Sequence, residues 1–298
     1  TIQVELKTDD GFFKASVPSG ASKGIYEALE LRDSDNHVLK AVNNVNEIIA
    51  KELIGKNPEN QKEIDEKLIH LDGTKNKSRL GANAILSVSM AVCRAGASSK
   101  NFPLYKHIAR LSENTKFAMP VPLFNLINGG RHAKNNLAVQ EFLILPFCKT
   151  FNESLKIGKE TYENLEKIIS KNCKSISIGD EGGFSPNLKN TEEALELLRK
   201  VISKYKTKVK IGIDSAASEF FKENYYDLDF KNHNNIGKMR KTSNELMDFY
   251  KKLIKDYNLI SIEDPFSQDD TQTYKKFTKE FDKKIMIIGD DLLATNPK

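Results

Sequence analysis

The sequence has 298 residues and a mass of 33.6 kDa, which at roughly 150 residues per domain leaves room for about two domains. Apolar residues make up 39% of the chain and charged residues 29%, a balance that supports a hydrophobic core and excludes an intrinsically disordered protein. The longest apolar stretch without a charge, residues 80–93, is shorter than the ~18 to 20 residues that cross a bilayer, so we predict no membrane span.

The charge balance is only mildly basic. Lys and Arg number 46 against 41 Asp and Glu, a formal net charge of +5. The basic residues are dispersed in pairs such as Lys251-Lys252 and Lys283-Lys284, whereas nucleic-acid binding requires a concentrated patch, so we expect no nucleic-acid partner. The three cysteines are too few and too scattered for a disulfide framework or a zinc site, which favours a reducing, cytoplasmic location.

The first third of the chain has the pattern of a small mixed domain. Residues 1–17 alternate polar and apolar around Asp9-Asp10-Gly11, which predicts a hairpin. Residues 27–32 are predicted to continue this sheet, and helical periodicity then takes over. Residues 80–97 are apolar on nearly every side, which indicates a buried helix. We therefore predict an α+β domain over residues 1–112.

From residue 119 onwards the pattern changes to strands alternating with helices. Near-continuously apolar strands separated by helices are typical of a parallel sheet covered by helices. A closed (β/α) barrel needs about eight strands, so the sequence predicts an open sheet or an incomplete barrel over residues 119–298. The predicted strands are residues 122–127, 139–145, 209–213, 259–262 and 285–288.

Acidic residues follow three of these predicted strands. Asp214, Glu263 and Asp290 each come at a strand end, and the carboxyl ends of parallel strands share one edge of a sheet. Uncompensated, the charges would repel and their pKa values would rise. An all-oxygen set of this kind points to Mg²⁺. A single acid after a strand is more often an N-cap, and capping remains the alternative for Asp264 and Asp291.

Four further polar elements are candidates for the same edge. Glu141 lies inside an apolar strand, where an unpaired acid would be costly. The turn 179–183 brackets Glu181 with glycines, which suits close approach to a ligand, although a surface turn is the alternative. His132 lies in a glycine-containing loop, where an isolated histidine usually has no role. Residues 19–24 are small and suit a lid, or a plain linker.

Together these motifs resemble those of the enolase family. The resemblance implies a small N-terminal α+β domain followed by a C-terminal barrel whose first units depart from simple strand–helix order. It implies magnesium-dependent dehydration of 2-phosphoglycerate to phosphoenolpyruvate in glycolysis, and the reverse in gluconeogenesis, by a cytoplasmic homodimer. The segments that carry it are residues 17–22, 83–86, 128–132, 140–142, 179–183, 261–266 and 290–292.

The resemblance also implies two Mg²⁺ ions in each active site. By motif, Asp214, Glu263 and Asp290 would bind the first ion, which would hold the substrate carboxylate. Ser22, on the lid, would help to bind the second ion once the substrate is present.

The catalytic groups follow from the same resemblance. Glu181, assisted by Glu141, would protonate the leaving hydroxyl, because hydroxide leaves poorly without a proton. His132, Glu141, Glu263 and Asp290 would contact the substrate, a small phosphorylated three-carbon acid. Two cations would stabilise the negative charge that develops next to its carboxylate.

Some parts of the family pattern are missing. The family's proton-abstracting lysine is expected beyond Lys298, so the sequence predicts a fragment of an ordinary enolase that is inactive by itself. The alternative is a shortened, catalytically inactive enolase-like protein that acts as an interaction or surface-binding protein. A racemase-like relative is disfavoured because it would lack the paired glutamates and the lid. Lys23, Arg131 and Lys134 replace the usual small residues or threonine, which puts loop closure in question.

Overall fold

The computed structural model describes residues 1–20, 24–172, 177–232 and 234–296. The chain divides into two compact units, Thr1–Ala118 and Met119–Lys298. Within the described residues, every helix is too short or too polar to cross a membrane.

The first unit opens with the predicted antiparallel hairpin. Ile2 and Val4 alternate with exposed residues and face the core, because successive side chains of a strand point to opposite sides. The predicted buried helix packs across both strands and is apolar nearly all round. The elements of this unit are β1 (Ile2–Thr8), β2 (Gly11–Val17), α1 (Leu39–Asn43), a π-helical segment (Asn44–Ile49), α2 (Ala50–Leu53), α3 (Gln61–Asp72), α4 (Ala82–Ser99) and α5 (Leu104–Leu111).

The prediction that residues 27–32 continue this sheet is wrong. Within the part of the chain that the structure describes, the segment pairs with no strand, and it contacts the start of α4 instead. The Leu29 N–H donates to the carbonyl of Asn76, and the Leu31 N–H donates to Oδ1 of Asn83, at 2.7 and 3.1 Å. Leu31 packs against the core of the first unit, whereas Leu29 is 43% exposed, so the alternating pattern here marks neither sheet pairing nor a buried side.

The second unit is built on one five-stranded sheet, in the order β10-β9-β5-β4-β3. Within the described residues the sheet does not close on itself, which agrees with the predicted incomplete barrel. Its elements are β3 (Phe124–Asn128), β4 (Glu141–Pro146), α6 (Phe151–Asn172), α7 (Thr191–Ile202), β5 (Val209–Asp214), the short strands β6 (Phe221–Lys222), β7 (Tyr225–Asp227) and β8 (Arg240–Lys241), α8 (Ser243–Tyr257), β9 (Leu259–Glu263), α9 (Thr271–Phe281) and β10 (Met286–Ile288).

The sheet is mixed, so the parallel arrangement expected from the apolar strands holds for only some of them. β5, β9 and β10 are parallel, whereas β4 runs antiparallel to both of its neighbours. Near-continuously apolar residues mark a strand that is buried on both sides, and they carry no information about its direction. The reversal decides which end of β4 reaches the carboxyl ends of β5 and β9.

Candidate active site

Acidic side chains from three adjacent strands meet at one edge of the sheet. Asp214 ends β5, and its partner in the register of parallel β9 is Glu263. On the other side, Asp214 is paired with Glu141 of β4. Because β4 is antiparallel, its first residue lies beside the last residue of β5, which in turn lies beside the last residue of β9. The edge therefore carries three carboxylates in one row, which we call the acidic row.

The metal-binding geometry of this edge includes a fourth acid. Carboxylate oxygens of Asp214, Glu263 and Asp264 lie within 4.8 Å of one another. The prediction named Asp290 as the third ligand, but among the described residues Asp290 is not in this group of three. Asp264 accepts hydrogen bonds from the backbone N–H of Asp290 at 3.2 Å and of Asp291 at 2.8 Å, so it ties the turn after β10 to the end of β9.

The pKa values of the acidic row are shifted as crowded, buried carboxylates require. Burial, followed by the charges of Glu263 and Glu141, raises the pKa of Asp214. Burial, followed by the charges of Asp264 and Asp290, raises the pKa of Glu263 to about 7. Asp290 therefore lies close enough to act electrostatically. An oxygen-only, buried and mutually repelling set of this kind fits a hard divalent cation.

The pKa of Glu141 is raised as well. Burial, hydrogen bonding to Glu181 and the charges of Glu181, Glu263 and Asp290 together raise the pKa of Glu141 to about 8. A carboxyl group in this state keeps its proton at neutral pH, so it can donate a proton or share one with its neighbour. The pair of glutamates predicted from the sequence is thus brought together by the fold.

Glu181 is held by a residue that the sequence analysis did not single out for this purpose. Asn128, the last residue of β3, is fully buried; its Nδ2 donates to Glu181 Oε2 at 2.7 Å, and its Oδ1 accepts from the Gly183 N–H at 2.9 Å. A Cβ on Gly179 would lie 2.6 Å from the side chain of Asn128, so glycine is required for this contact. In the sequence, the motif Asn128-Gly129-Gly130 stands out for its glycines, but Asn128 is the residue that positions Glu181.

His132 faces the same glutamate. Its ring is 6% exposed, and its Nε2 lies 3.6 Å from Glu181 Oε1, beyond hydrogen-bonding distance. Among the described residues this Nε2 has no hydrogen-bond partner, which is unusual for a buried polar atom. The His132 carbonyl accepts from the Asp180 N–H at 3.1 Å. The imidazole is therefore fixed through its backbone, with one nitrogen available to a ligand beside Glu181.

Two predicted features of the lid lie outside the described residues. Ser22, the predicted ligand of a second Mg²⁺ ion, and the neighbouring Lys23 fall between the described ranges 1–20 and 24–172.

Arg131, which departs from the small residues usual beside His132, forms an ion pair with Glu219. Its charge is therefore directed towards the segment after β5.

Comparison with known proteins agrees with this geometry. Residues 1–108 match the family model described as the enolase N-terminal domain, and residues 116–298 match that described as the enolase C-terminal TIM barrel domain. The enolase of Solanum lycopersicum is 51% identical over 316 aligned residues, which include all of this chain and 71% of that protein. The chain belongs to the enolase family, the hydro-lyases known as phosphopyruvate hydratases.

Proposed function

We propose that this protein catalyses the magnesium-dependent dehydration of 2-phosphoglycerate to phosphoenolpyruvate in glycolysis, and the reverse reaction in gluconeogenesis. One observation carries the proposal: the register of β4, β5 and β9 sets Glu141, Asp214 and Glu263 in one row, with Glu181 close enough to raise the pKa of Glu141. This arrangement combines a cation site with a proton donor, which are the two requirements for expelling hydroxide next to a carboxylate.

The metal-binding part of the proposal rests on the chemistry of the donors. Asp214, Glu263 and Asp290 would hold the first Mg²⁺ ion, and Ser22 would contribute to a second. When bound, the metal supplies positive charge that offsets the negative charge developing on the substrate carboxylate. Asp264 is committed to the backbone N–H groups after β10, which supports a role in placing Asp290.

The proton-transfer part rests on the two glutamates. Glu141, with its pKa of about 8, holds a proton at neutral pH, and Glu181 is the group that would deliver one to the leaving hydroxyl. Asn128 donates to Glu181 Oε2 and so leaves Oε1, the oxygen nearest His132, as the one to face the substrate. Burial of Glu141 and His132 restricts water, which would otherwise weaken these interactions.

The test is the substitution Glu181→Gln in the protein as its source organism makes it. Loss of the transferable proton should lower kcat by about 10²- to 10⁴-fold, measured as the ultraviolet absorbance of phosphoenolpyruvate. Calorimetric binding of Mg²⁺ should persist, because Glu181 is outside the predicted ligand set. Glu166→Gln, an exposed glutamate on α6, is the matched control. Retained turnover in Glu181→Gln would contradict the assigned role.

The remaining expectations concern assembly and the alternative function. We expect a cytoplasmic homodimer that acts on a small phosphorylated acid, and sedimentation of the purified protein measures the dimer. The alternative, an inactive interaction or surface-binding protein, is tested by intact mass: a natural product of 33.6 kDa without turnover would favour it.

A further inference from the structure

The ammonium group of Lys231 forms hydrogen bonds with the loop that carries His132. Lys231 Nζ donates to the carbonyl oxygens of Gly130 at 2.6 Å and Ala133 at 2.8 Å. It also lies 3.4 Å from Asn135 Oδ1 and 3.5 Å from the carbonyl oxygen of Leu137. An ammonium group has three protons to donate and no lone pair to accept with, so all of its bonding capacity is directed at this one loop.

The charge of Lys231 is not neutralised by an acid. Across the described parts of the chain, no carboxylate lies within ion-pair distance of its Nζ. Burial lowers the pKa of Lys231 to about 8, as expected for an ammonium group surrounded by dipoles instead of by an opposite charge. Partial burial of a charge costs free energy, and the acceptor oxygens of the loop offset this cost. The loop and the ammonium group are therefore mutually dependent.

The two shortest contacts lie on either side of the histidine. Gly130 and Ala133 bracket His132 in sequence, and His132 Nε2 stands 3.6 Å from Glu181 Oε1. The loop has a second internal support, since Asn135 Nδ2 donates to the carbonyl of Asn128, the residue that orients Glu181, at 2.8 Å. Lys231 thus acts on the backbone of His132 and, through Asn135, on the neighbourhood of Glu181.

Lys231 reaches the loop from a rigid base in the same compact unit. It follows β7, where the Phe230 N–H donates to the carbonyl of Asp227 at 3.2 Å. The side chain of Asn235 then closes this turn, with Nδ2 donating to Asp227 Oδ2 at 2.7 Å and to the carbonyl of Asp229 at 3.0 Å. A long side chain on a restrained turn can fix a distant loop, because the turn limits its rotamers.

We propose that Lys231 is a positioning residue: its ammonium group holds the loop 130–137 so that the His132 imidazole stands beside Glu181. The catalytic consequence rests on the proposed function, because it assumes that a substrate binds against His132. The structural consequence does not, since it concerns the metal-free and substrate-free protein.

The first experiment measures the loop itself. In Lys231→Met, which keeps the length of the side chain without its charge or donors, we expect the His132 ring resonances to shift or broaden. Amide exchange at Gly130, whose N–H donates to Leu137, should accelerate at least tenfold. The ring resonances of His37, His70 and His107, which lie in the first unit, and the Tm of that unit should stay unchanged. Lys222→Met, an exposed lysine on β6, is the matched control and should change none of these.

A chemical rescue separates the ammonium group from general packing. Lys231→Cys, alkylated with 2-bromoethylamine to place an ammonium group at the same reach, should restore the His132 resonances and the Gly130 protection. Wild-type protein taken through the same alkylation controls for its native cysteines. If Lys231→Met does not fold, Lys231→Gln, which keeps a donor group, replaces it. An unperturbed His132 in the substituted protein, or no restoration after alkylation, overturns the proposal.

The second experiment measures binding of 2-phosphoglycerate with Mg²⁺ by calorimetry. Displacement of a contact group by about 1 Å can cost ~10²-fold, and we expect Lys231→Met to weaken binding at least tenfold relative to Lys222→Met. Absence of binding in the wild-type protein as its source organism makes it would contradict the proposed function and would leave the resonance experiment to decide the role of Lys231. Binding equal to the control would contradict the positioning role in catalysis.

Discussion

Two buried aspartates, one in each compact unit, have opposite pKa shifts. Asp72, at the end of α3, is 1% exposed, and Asp214, at the end of β5, is 8% exposed. Burial would raise the pKa of Asp72, but hydrogen bonds from Thr74 and Leu80 outweigh it and lower the pKa below its usual value. At Asp214, burial and the charges of Glu263 and Glu141 raise the pKa.

The difference lies in what surrounds each carboxylate. Asp72 accepts from the Thr74 hydroxyl, from the Thr74 N–H at 2.9 Å and from the Leu80 N–H at 2.7 Å, so both of its oxygens are satisfied as an anion. Asp214 accepts from Ala216 at 2.8 Å and, weakly, from Gln140 at 3.3 Å, and it faces other acids. A buried acid with its own donors is part of the scaffold, whereas buried acids that face one another require a proton or a cation.

The largest effect that this comparison predicts is loss of stability in Asp72→Ala. The substitution leaves buried N–H groups without an acceptor, and we expect the free energy of unfolding to fall by about 3 kcal/mol. Urea denaturation measures it, with the exposed Asp35→Ala as the control. A loss below about 1 kcal/mol would show that water replaces the carboxylate and that Asp72 is not part of the scaffold.

The next effect concerns metal binding in Asp214→Asn. At a free Mg²⁺ concentration of 100 times its Kd, wild-type protein should gain about 2.7 kcal/mol of stability from the ion. Asp214→Asn should lose this gain, because the amide provides no negative charge, and its metal-free form should be more stable than wild type by about 1 kcal/mol, since like-charge repulsion is relieved. Thermal unfolding with and without Mg²⁺ tests both parts. A variant that keeps the full Mg²⁺ effect would exclude Asp214 as a ligand.

Without metal, the stability of the protein should depend on pH in the direction set by the raised pKa values of the acidic row. The pKa values of Glu263 and Glu141, about 7 and about 8, exceed the unfolded value near 4.3. Between these limits the folded state holds more protons than the unfolded state, so stability should fall as the pH rises from about 5 to about 8. Asp72 has the opposite shift, and its contribution should be lost only as the pH falls below about 4. Saturating Mg²⁺ should restore the stability that the metal-free protein loses at neutral pH. A Tm that rises from pH 5 to pH 8 without metal would contradict the raised pKa values of the acidic row.

The smallest effect is expected for Arg131→Ala. Arg131 pairs with Glu219, but its side chain is 67% exposed, and exposed ion pairs contribute about 0 to 1 kcal/mol. Denaturation should therefore show a loss below about 1 kcal/mol, and the His132 resonances should move less than in Lys231→Met. A larger change in His132 would mean that the exposed pair, and not the buried ammonium group, holds the loop.

The strands of the five-stranded sheet could be predicted from local patterns. Apolar runs located β5 and β9, and the acids that follow the strands pointed to Asp214 and Glu263, because a strand end is visible in the sequence as a change from apolar to polar residues. The Glu141–Glu181 pair came from motif resemblance and is brought together by the fold. The assignments of Asp290 and Ser22 as metal ligands stay predictions.

The direction of β4, the pairing of residues 27–32 and the role of Lys231 could not be predicted locally. A run of apolar residues reports that a strand is buried but carries no information about its neighbours or their direction. Lys231 is separated from Gly130 by 101 residues, and nothing near it in the sequence distinguishes it from an exposed lysine. The sequence by itself determined where the strands of the five-stranded sheet lie and which of them end in acids. Only the tertiary structure decided which acids face one another and which lysine is partly buried, because burial and charge–charge distances arise between residues that are far apart along the chain.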